Sequence, residues 1–484
     1  MEKFYHFLTL AGIGLYWLLV AGVTLRVVLK RRALSVSLAW LMIIYILPIV
    51  GVLSYFLFGE LNLGRKRAER AKRMLGPFAN WFNSLHDCID HTPESLGRHI
   101  YRIDQLCNNR LGLPALSGNQ LELLTEPNHI LSNIIKDIEN AKHSIRMEFY
   151  IWQQGGLVDS VSAALIQAAK RGVSVRILLD SAGSRRFFNS HWLTMMKRAN
   201  IRIIPALNVN LFRAFFRRLD LRQHRKIIVI DDNTAYSGSM NMVDPAYFKQ
   251  GRGVGHWVDI MVRIQGPTVN VLSAIHCWDW EVETGERRLP NKPQCSIEDT
   301  GVPNPIQVVP SGPGMPEHLI SQVLIVAIHQ AQRSVRITTP YFVPSADLLE
   351  TLKMTAQRGV NVSIIIPKKN DSIMVQWASR AFYTELLQAG ITIYEFDGGL
   401  LHTKSVIIDE DFCLVGSVNI DMRSLWLNFE LTLAIDDAHF TESLRQLQQS
   451  YQASSASVNL QHWQQRSLYS RVLERIFYLF NPLL

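Results

Sequence analysis

Two long apolar runs open the chain. Phe7 to Leu25 and Ala33 to Gly59 contain no Asp, Glu, Lys or Arg. Each is long enough to cross a hydrocarbon core of about 30 Å, which takes about 20 helical residues. Arg26 to Arg32 leaves only a tight connection, so the pattern predicts a two-helix transmembrane hairpin over residues 1–62, kinked at Pro48. The long first run, its weak basic start and the second run close behind argue for a retained helix over a signal peptide. Trp17, Trp40, Tyr45 and Tyr55 include candidate anchors at the membrane–water interface.

Residues 63–118 read as a basic juxtamembrane and connecting region, helical from about Gly76 to Gly118. The pattern then repeats itself. Asn140 to Arg146 leads into the strand-like Met147 to Trp152, as Gln330 to Arg336 leads into Ile337 to Val343. Ala168 to Val175 precedes Ile177-Leu178-Leu179, and Thr355 to Val362 precedes Ile364-Ile365-Ile366. In both, an amphipathic helix stops at Gly and a buried apolar run follows, the signature of an α/β crossover. Ala199 to Ile203 and Ala389 to Ile393 form a further pair. Two duplicated α/β domains are expected, over 119–300 and 301–484, joined by a Pro- and Gly-rich linker at Gly285 to Pro305. Phe440 to Gln452 reads as a helix. The tail Arg466 to Leu484 is amphipathic and suits either the bilayer surface or packing on the second domain. Leu211 to Arg218 interleaves Phe and Arg, as membrane-dipping segments do; a helix with a core-facing Phe stripe is the alternative.

Composition locates the charge. The chain has 484 residues, 48% hydrophobic and 19% charged, with a formal net charge of +9. Ten basic residues between Arg26 and Arg73 face two acids, Glu60 and Glu69, which accounts for +8 of the +9. The rest is nearly neutral, which argues against a nucleic-acid binder and for attraction to anionic headgroups. A hairpin places the two basic clusters on opposite faces, and the positive-inside rule cannot satisfy both. Arg65 to Arg73 is the larger, so the catalytic domains are expected in the cytoplasm. Cys88, Cys107, Cys277, Cys295 and Cys413 are odd in number and scattered without CxxC spacing, which argues against a disulfide framework or zinc site and for a reducing compartment.

The chemistry sits in a doubled motif. His224-Arg225-Lys226, then Asp231 and Gly238-Ser239-Met240-Asn241, recur at the same intervals as His402-Thr403-Lys404, Asp409 and Gly416-Ser417-Val418-Asn419. Matched spacing points to one site assembled from two halves. Strand parity puts each His and Lys on one face, and Arg225 on the other. Asp231 and Asp409 fall on the opposite face, which suggests a supporting role. Two His, two Lys and two Asn suit a phosphodiester: Lys226, Lys404, Asn241 and Asn419 neutralise and orient its oxygens. Ser239 and Ser417 are candidate phosphate donors or turn residues. One imidazole attacks phosphorus while the other donates a proton to the leaving oxygen. Asp259 and Glu430 are the candidate carboxylates that set the imidazole protonation states. No metal or cofactor is required.

The doubled His-x-Lys-x4-Asp pattern with Gly-Ser-x-Asn resembles the phospholipase D superfamily. With Asp421 to Glu430 and the N-terminal apolar runs, the chain is similar to the bacterial cardiolipin synthases of the A type. The resemblance implies two phospholipase D-like α/β domains forming one site, preceded by two transmembrane helices. It implies condensation of two phosphatidylglycerol molecules into cardiolipin at the bacterial inner membrane, through a phosphohistidine and with release of glycerol. It also implies catalytic roles for both motifs, Asp231 and Asp409 included, with His224 as nucleophile and His402 as general acid and then base. Competing readings are a phospholipid hydrolase, in which water is the acceptor, a nucleic-acid phosphodiesterase, and a non-enzymatic membrane scaffold that needs neither His-x-Lys motif.

Overall fold

A computed structural model describes residues 1–30, 34–60, 63–85, 96–208, 218, 220–249, 251, 253–290 and 304–479. The segment 211–217, most of the expected 285–305 linker, Cys88, Cys295 and the last five residues of the tail lie outside the described residues. The chain forms two compact units, one built on Met1–Lys66 and the other on Arg67–Asn208 with Arg222–Leu484.

In the first unit, α1 (Glu2–Leu29) runs for 28 residues. Among the described residues it is the one helix long and apolar enough to cross a membrane. The expected second spanning helix is not continuous. It divides into α2 (Leu34–Ile46) and α3 (Pro48–Ser54), the latter continuing as a π-helical turn, Tyr55–Gly59. The break falls at Leu47, with φ −127° and ψ 70°. Pro48 causes it, because proline has no N–H to donate back and its ring clashes with the preceding turn. Val20, Val23 and Val27 of α1 pack against Trp40, Ile44, Val52 and Tyr55.

The connecting region contains α4 (Arg65–Asn83) and α5 (Arg98–Leu111). Beyond it, the duplication seen in the sequence is a duplication of sheets. The first contains β1 (Gln120–Leu124), β2 (Ser144–Phe149), β3 (Ser174–Asp180), β4 (Arg202–Ala206), β5 (Ile227–Ile230), β6 (Thr234–Gly238) and β8 (Met261–Gln265), with the short β7 (Trp257–Val258) set apart. Its order is β1-β8-β6-β5-β2-β3-β4. The second contains β9 (Ile306–Ser311), β10 (Ser334–Thr338), β11 (Asn361–Pro367), β12 (Thr392–Phe396), β14 (Ser405–Ile408), β15 (Phe412–Gly416), β16 (Glu430–Asp436) and β17 (Ser455–Ser457), with β13 (Leu400–Leu401) paired to β7. Read from β9, its order β9-β16-β15-β14-β10-β11-β12 repeats the first, and β17 is added at the edge.

In each half three parallel strands follow right after their crossover helices, and the motif strand joins antiparallel: β5 on β2, β14 on β10. The buried runs of β3 and β11 need cover on both faces. The outer face of each sheet is covered by its own helices. The inner faces share one core: Ile227, Val229 and Val262 from the first sheet meet Ile407, Val415 and Leu431 from the second, with the helix Thr268–Thr284. The motif strands are thus brought together.

The helix expected over 440–452 spans Ala438–Ala453. In the tail, the helix Leu468–Tyr478 packs on the second half: Tyr478 meets Phe382 at 5.5 Å between ring centroids, and buried Glu474 pairs with Arg466 and Arg380. Its other face leaves Leu468, Tyr469 and Val472 exposed.

Candidate active site

His224 and Lys226 sit in the extended segment that leads into β5, and His402 and Lys404 in the one that leads into β14. The main chain wires each segment to the opposite half. The His224 N–H donates to the Phe429 carbonyl at 2.9 Å, and the His402 N–H donates to the Val258 carbonyl at 2.8 Å. The residues after those acceptors are Glu430 and Asp259. The carboxylates therefore cross over: Glu430 Oε2 lies 2.8 Å from His224 Nδ1, and Asp259 Oδ1 lies 2.7 Å from His402 Nδ1. Both candidates named from the sequence are present, but each serves the histidine of the other half.

Ser239 and Ser417 complete this arrangement. The structure places the Ser239 hydroxyl on Asp259 Oδ1, at 2.6 Å, and the Ser417 hydroxyl on Glu430. Each serine accepts in turn from the backbone N–H of the residue after the carboxylate, Ile260 and Leu431. They act on the carboxylates of their own halves, a role their sequence position did not show.

Charge and burial then set the protonation states. Burial lowers both imidazoles to about 4, against the pull of Glu430 on His224 and of Asp259 on His402. Burial alone would raise the carboxylates. Contact with His402, Lys404 and Ser239 instead holds Asp259 at about 2, and His224, Lys226 and Ser417 hold Glu430 below its ordinary range. At neutral pH each imidazole is neutral, its Nδ1–H directed at an ionised carboxylate and its Nε2 carrying a lone pair.

Burial also lowers the lysines, Lys226 to about 8 and Lys404 to about 7. Lys226 Nζ donates to the His224 carbonyl at 2.6 Å, and Lys404 Nζ to that of His402, which fixes both ammonium groups beside the imidazoles. A lysine is charged below its pKa and neutral above it. The pull on a phosphate anion is therefore full only well below pH 7 and is lost as the pH rises through 7 to 8. We expect kcat/KM for a phosphodiester substrate to fall on that alkaline limb. In Lys404→Arg the limb should move upward, because guanidinium stays charged; a pH–rate profile of both proteins checks this.

Asn241 and Asn419 are buried, and Asn241 Oδ1 accepts from the Ile151 N–H at 3.1 Å. Asp231 and Asp409 lie elsewhere. Each follows its motif strand with a left-handed backbone, φ 53° and 54°. The Asp231 carboxylate accepts from the N–H groups of Lys142, His143 and Ser144 at 2.7–2.8 Å. Asp409 accepts from Gln332, Arg333 and Ser334 in the same way. They tie the start of β2 and of β10 to the motif strands, at the strand end away from the histidines. Strand parity placed both on the face opposite the His and Lys, and their carboxylates bond main-chain N–H groups and not the imidazoles.

Tyr150 and Trp257 were not singled out in the sequence, and Arg225 was assigned a face but no partner. Tyr150 packs on His224 at 5.0 Å between ring centroids, and Trp257 on His402 at 4.4 Å. Arg225, wholly buried, reaches across the seam: it pairs with Asp279 and donates to the carbonyls of Glu430, at 3.0 Å, and Ser311, at 3.1 Å. Beside it, Gln223 hydrogen-bonds Glu148, whose carboxyl is pushed well above the usual range by burial and by Asp279. The matching residue of the second half is Thr403, which has no charge to pair. An Arg on the face opposite His224 and Lys226 was the available signal.

Two α/β halves of one topology, closing on a pair of His-x-Lys segments, define the phospholipase D-like class of fold. Comparison with known proteins agrees and narrows it. The profile described as "Cardiolipin synthase, PLD-like domain" matches residues 134–271 and 324–452, and "Phospholipase_D-nuclease N-terminal" matches 17–60. The chain belongs to the cardiolipin synthase, phospholipase D-like family. Relatives named "Cardiolipin synthase A" from Yersinia pseudotuberculosis serotype O:1b and from Yersinia pestis are each 53% identical over 488 residues, covering 100% of both chains. Among solved structures, phosphatidylserine synthase of Haemophilus influenzae Rd KW20 shares the fold. Its TM-score is 0.56 at 16% identity, covering 80% of this chain and 98% of that one.

Proposed function

We propose that this chain is a phosphatidyltransferase that condenses two phosphatidylglycerol molecules into cardiolipin and releases glycerol. The observation that carries the chemistry is the crossed pair of His–carboxylate contacts, 2.8 Å and 2.7 Å, flanked by two buried lysines. The choice of lipid follows the full-length relatives named cardiolipin synthase A.

The reaction runs in two displacements. Because Nδ1 of each imidazole is held by a carboxylate, Nε2 is the atom left to react. His224 Nε2 attacks phosphorus, and the bond from phosphorus to the headgroup glycerol oxygen breaks. That oxygen takes a proton from His402, and free glycerol leaves. A hydroxyl of the second phosphatidylglycerol then attacks the phosphohistidine and gives its proton to His402. The P–N bond breaks and cardiolipin is released. Lys226, Lys404, Asn241 and Asn419 hold the non-bridging oxygens as charge develops. Ser239 and Ser417 act through Asp259 and Glu430, while Asp231 and Asp409 brace the motif strands. An approaching phosphate anion favours the imidazolium that His402 must carry.

We place the protein at the bacterial inner membrane, anchored through its N-terminal apolar segment, with the catalytic unit on the cytoplasmic face. Anchoring keeps a lipid acceptor at high effective concentration, which favours transfer over hydrolysis.

Purified protein given phosphatidylglycerol labelled separately in headgroup and backbone is expected to yield cardiolipin and free glycerol. Phosphatidic acid as the main product would replace this reading with hydrolysis. For the two histidines, phosphatidyl p-nitrophenol supplies a leaving group that needs no proton. His402→Ala should then accumulate labelled phosphoenzyme and His224→Ala none; the reverse pattern would exchange the roles.

A further inference from the structure

The broken second apolar run has an unexpected exit. Glu60, the residue after it, is clamped to the C-terminal end of α1. Arg26 Nε and Nη2 reach its two oxygens at 2.6 Å and 2.9 Å, Lys30 Nζ reaches Oε2 at 2.6 Å, and Tyr55 donates to Oε1 at 3.0 Å. The run starts at the same end of α1, since α2 begins at Leu34, just after α1 ends at Leu29. Start and finish therefore share one level along α1.

Between them the chain reverses. A Cβ on Gly51 would lie 2.6 Å from the Ile43 carbonyl oxygen and 2.6 Å from Ile44 Cα. Seven residues of uninterrupted helix would instead separate Gly51 from Ile44 by about 10 Å along the axis. Gly51 is thus the point at which α3 lies directly on α2, and only a residue without a side chain fits. The reversal is confined to Leu47: its N–H donates to Ile43, and its carbonyl accepts from Gly51. Pro48 adds no N–H that would go unsatisfied in hydrocarbon.

Lengths agree. At about 1.5 Å per residue the 13 residues of α2 reach about 20 Å, short of a hydrocarbon core of about 30 Å. The 28 residues of α1 reach about 42 Å. At the tip, Tyr45, Ile46, Leu47, Ile49 and Val50 are all more than half exposed. An apolar tip that no described residue of its own unit covers, on a hairpin whose exit is held by the ion pairs of Glu60, fits lipid tails.

We propose that residues 34–59 form a re-entrant helical hairpin that enters and leaves the bilayer on the same face, so that α1 is the only span among the described residues. The conflict in the charge pattern then disappears. Arg26 and Lys30 lie on the same face as the basic cluster that starts at Arg65, where both satisfy the positive-inside rule, and the N-terminus lies on the other. The hairpin does not depend on which reaction the catalytic unit performs.

The test uses the full-length protein in its native membrane, carrying Glu2→Cys, Ala33→Cys, Leu47→Cys or Arg65→Cys singly. A membrane-impermeant maleimide is applied to right-side-out and to inverted vesicles, and labelled peptides are identified by mass spectrometry, so the native cysteines stay. Ala33→Cys and Arg65→Cys are expected to react from the same face, Glu2→Cys from the opposite face, and Leu47→Cys from neither. Reaction of Ala33→Cys and Arg65→Cys from opposite faces, or of Leu47→Cys from the face that labels Glu2→Cys, would overturn the proposal and restore two spans.

Discussion

Glu430→Gln is expected to reduce kcat by about 10,000-fold with the fold intact, the scale seen when a carboxylate that fixes an imidazole tautomer becomes an amide. Asp259→Asn should cost a similar factor, but at a different step. Glu430 touches His224 and Asp259 touches His402, each across the seam between the halves. Glu430→Gln should therefore behave as a weakened His224 variant, forming little phosphoenzyme from phosphatidyl p-nitrophenol. Asp259→Asn should form it and then pass it on slowly to a lipid hydroxyl. If each carboxylate served its own half, the two phenotypes would be exchanged. Quantifying labelled phosphoenzyme in the two variants decides between these outcomes, and an accumulating Glu430→Gln phosphoenzyme would sink the crossed assignment. The isosteric amides keep the hydrogen bonds of Ser239 and Ser417 in reach, so far-ultraviolet circular dichroism should be unchanged.

Arg225→Ala is expected to destabilise the catalytic unit by about 3–5 kcal/mol, the cost of leaving one member of a buried ion pair without its partner. Asp279 would keep its place in the core, and the carbonyls of Glu430 and Ser311 would lose their donor. Because those two acceptors belong to the second half, the loss should loosen the seam itself and activity should fall with stability. The double variant Arg225→Met/Asp279→Leu removes both charges and should recover much of the stability, since apolar replacement of a buried pair is often neutral. Denaturant midpoints of the solubilised proteins measure both effects. A double variant no more stable than Arg225→Ala would show that the carbonyl contacts, and not the ion pair, carry the cost.

The repeat was legible because α/β crossovers leave a strong local trace: helix, Gly, buried strand, at matched intervals. The faces of His224, Lys226 and Arg225 followed from strand parity, and so did the separation of Asp231 and Asp409 from the imidazoles. Asp259 and Glu430 were identifiable as candidates, but their crossing was not. It is set by the pairing of the 224 segment with Phe429 and of β13 with β7, contacts between residues far apart in the chain. The serines were misleading for the same reason, since a hydroxyl near a phosphate-binding Asn looks alike whether it faces phosphate or carboxylate. Pro48 signalled a bend, but the size of the bend depends on Gly51 meeting Ile44 and on Glu60 meeting Arg26. Local hydropathy reports neither contact.

The crossing of the carboxylates also bears on why the two halves share one chain. A separate half would hold a histidine without its carboxylate and a carboxylate without its histidine, and would become competent only by meeting a second copy. Covalent linkage replaces that encounter with an intramolecular one, so assembly of the site is independent of how sparsely the protein is expressed. It also releases the halves from identity. Asp259 opposite Glu430, Thr403 opposite Arg225, and Trp257 beside one histidine where Tyr150 lies beside the other are differences that a symmetric pair of identical subunits could not maintain. A reaction whose two lipids play different parts, one giving up its headgroup and one keeping it, has use for such an inequality.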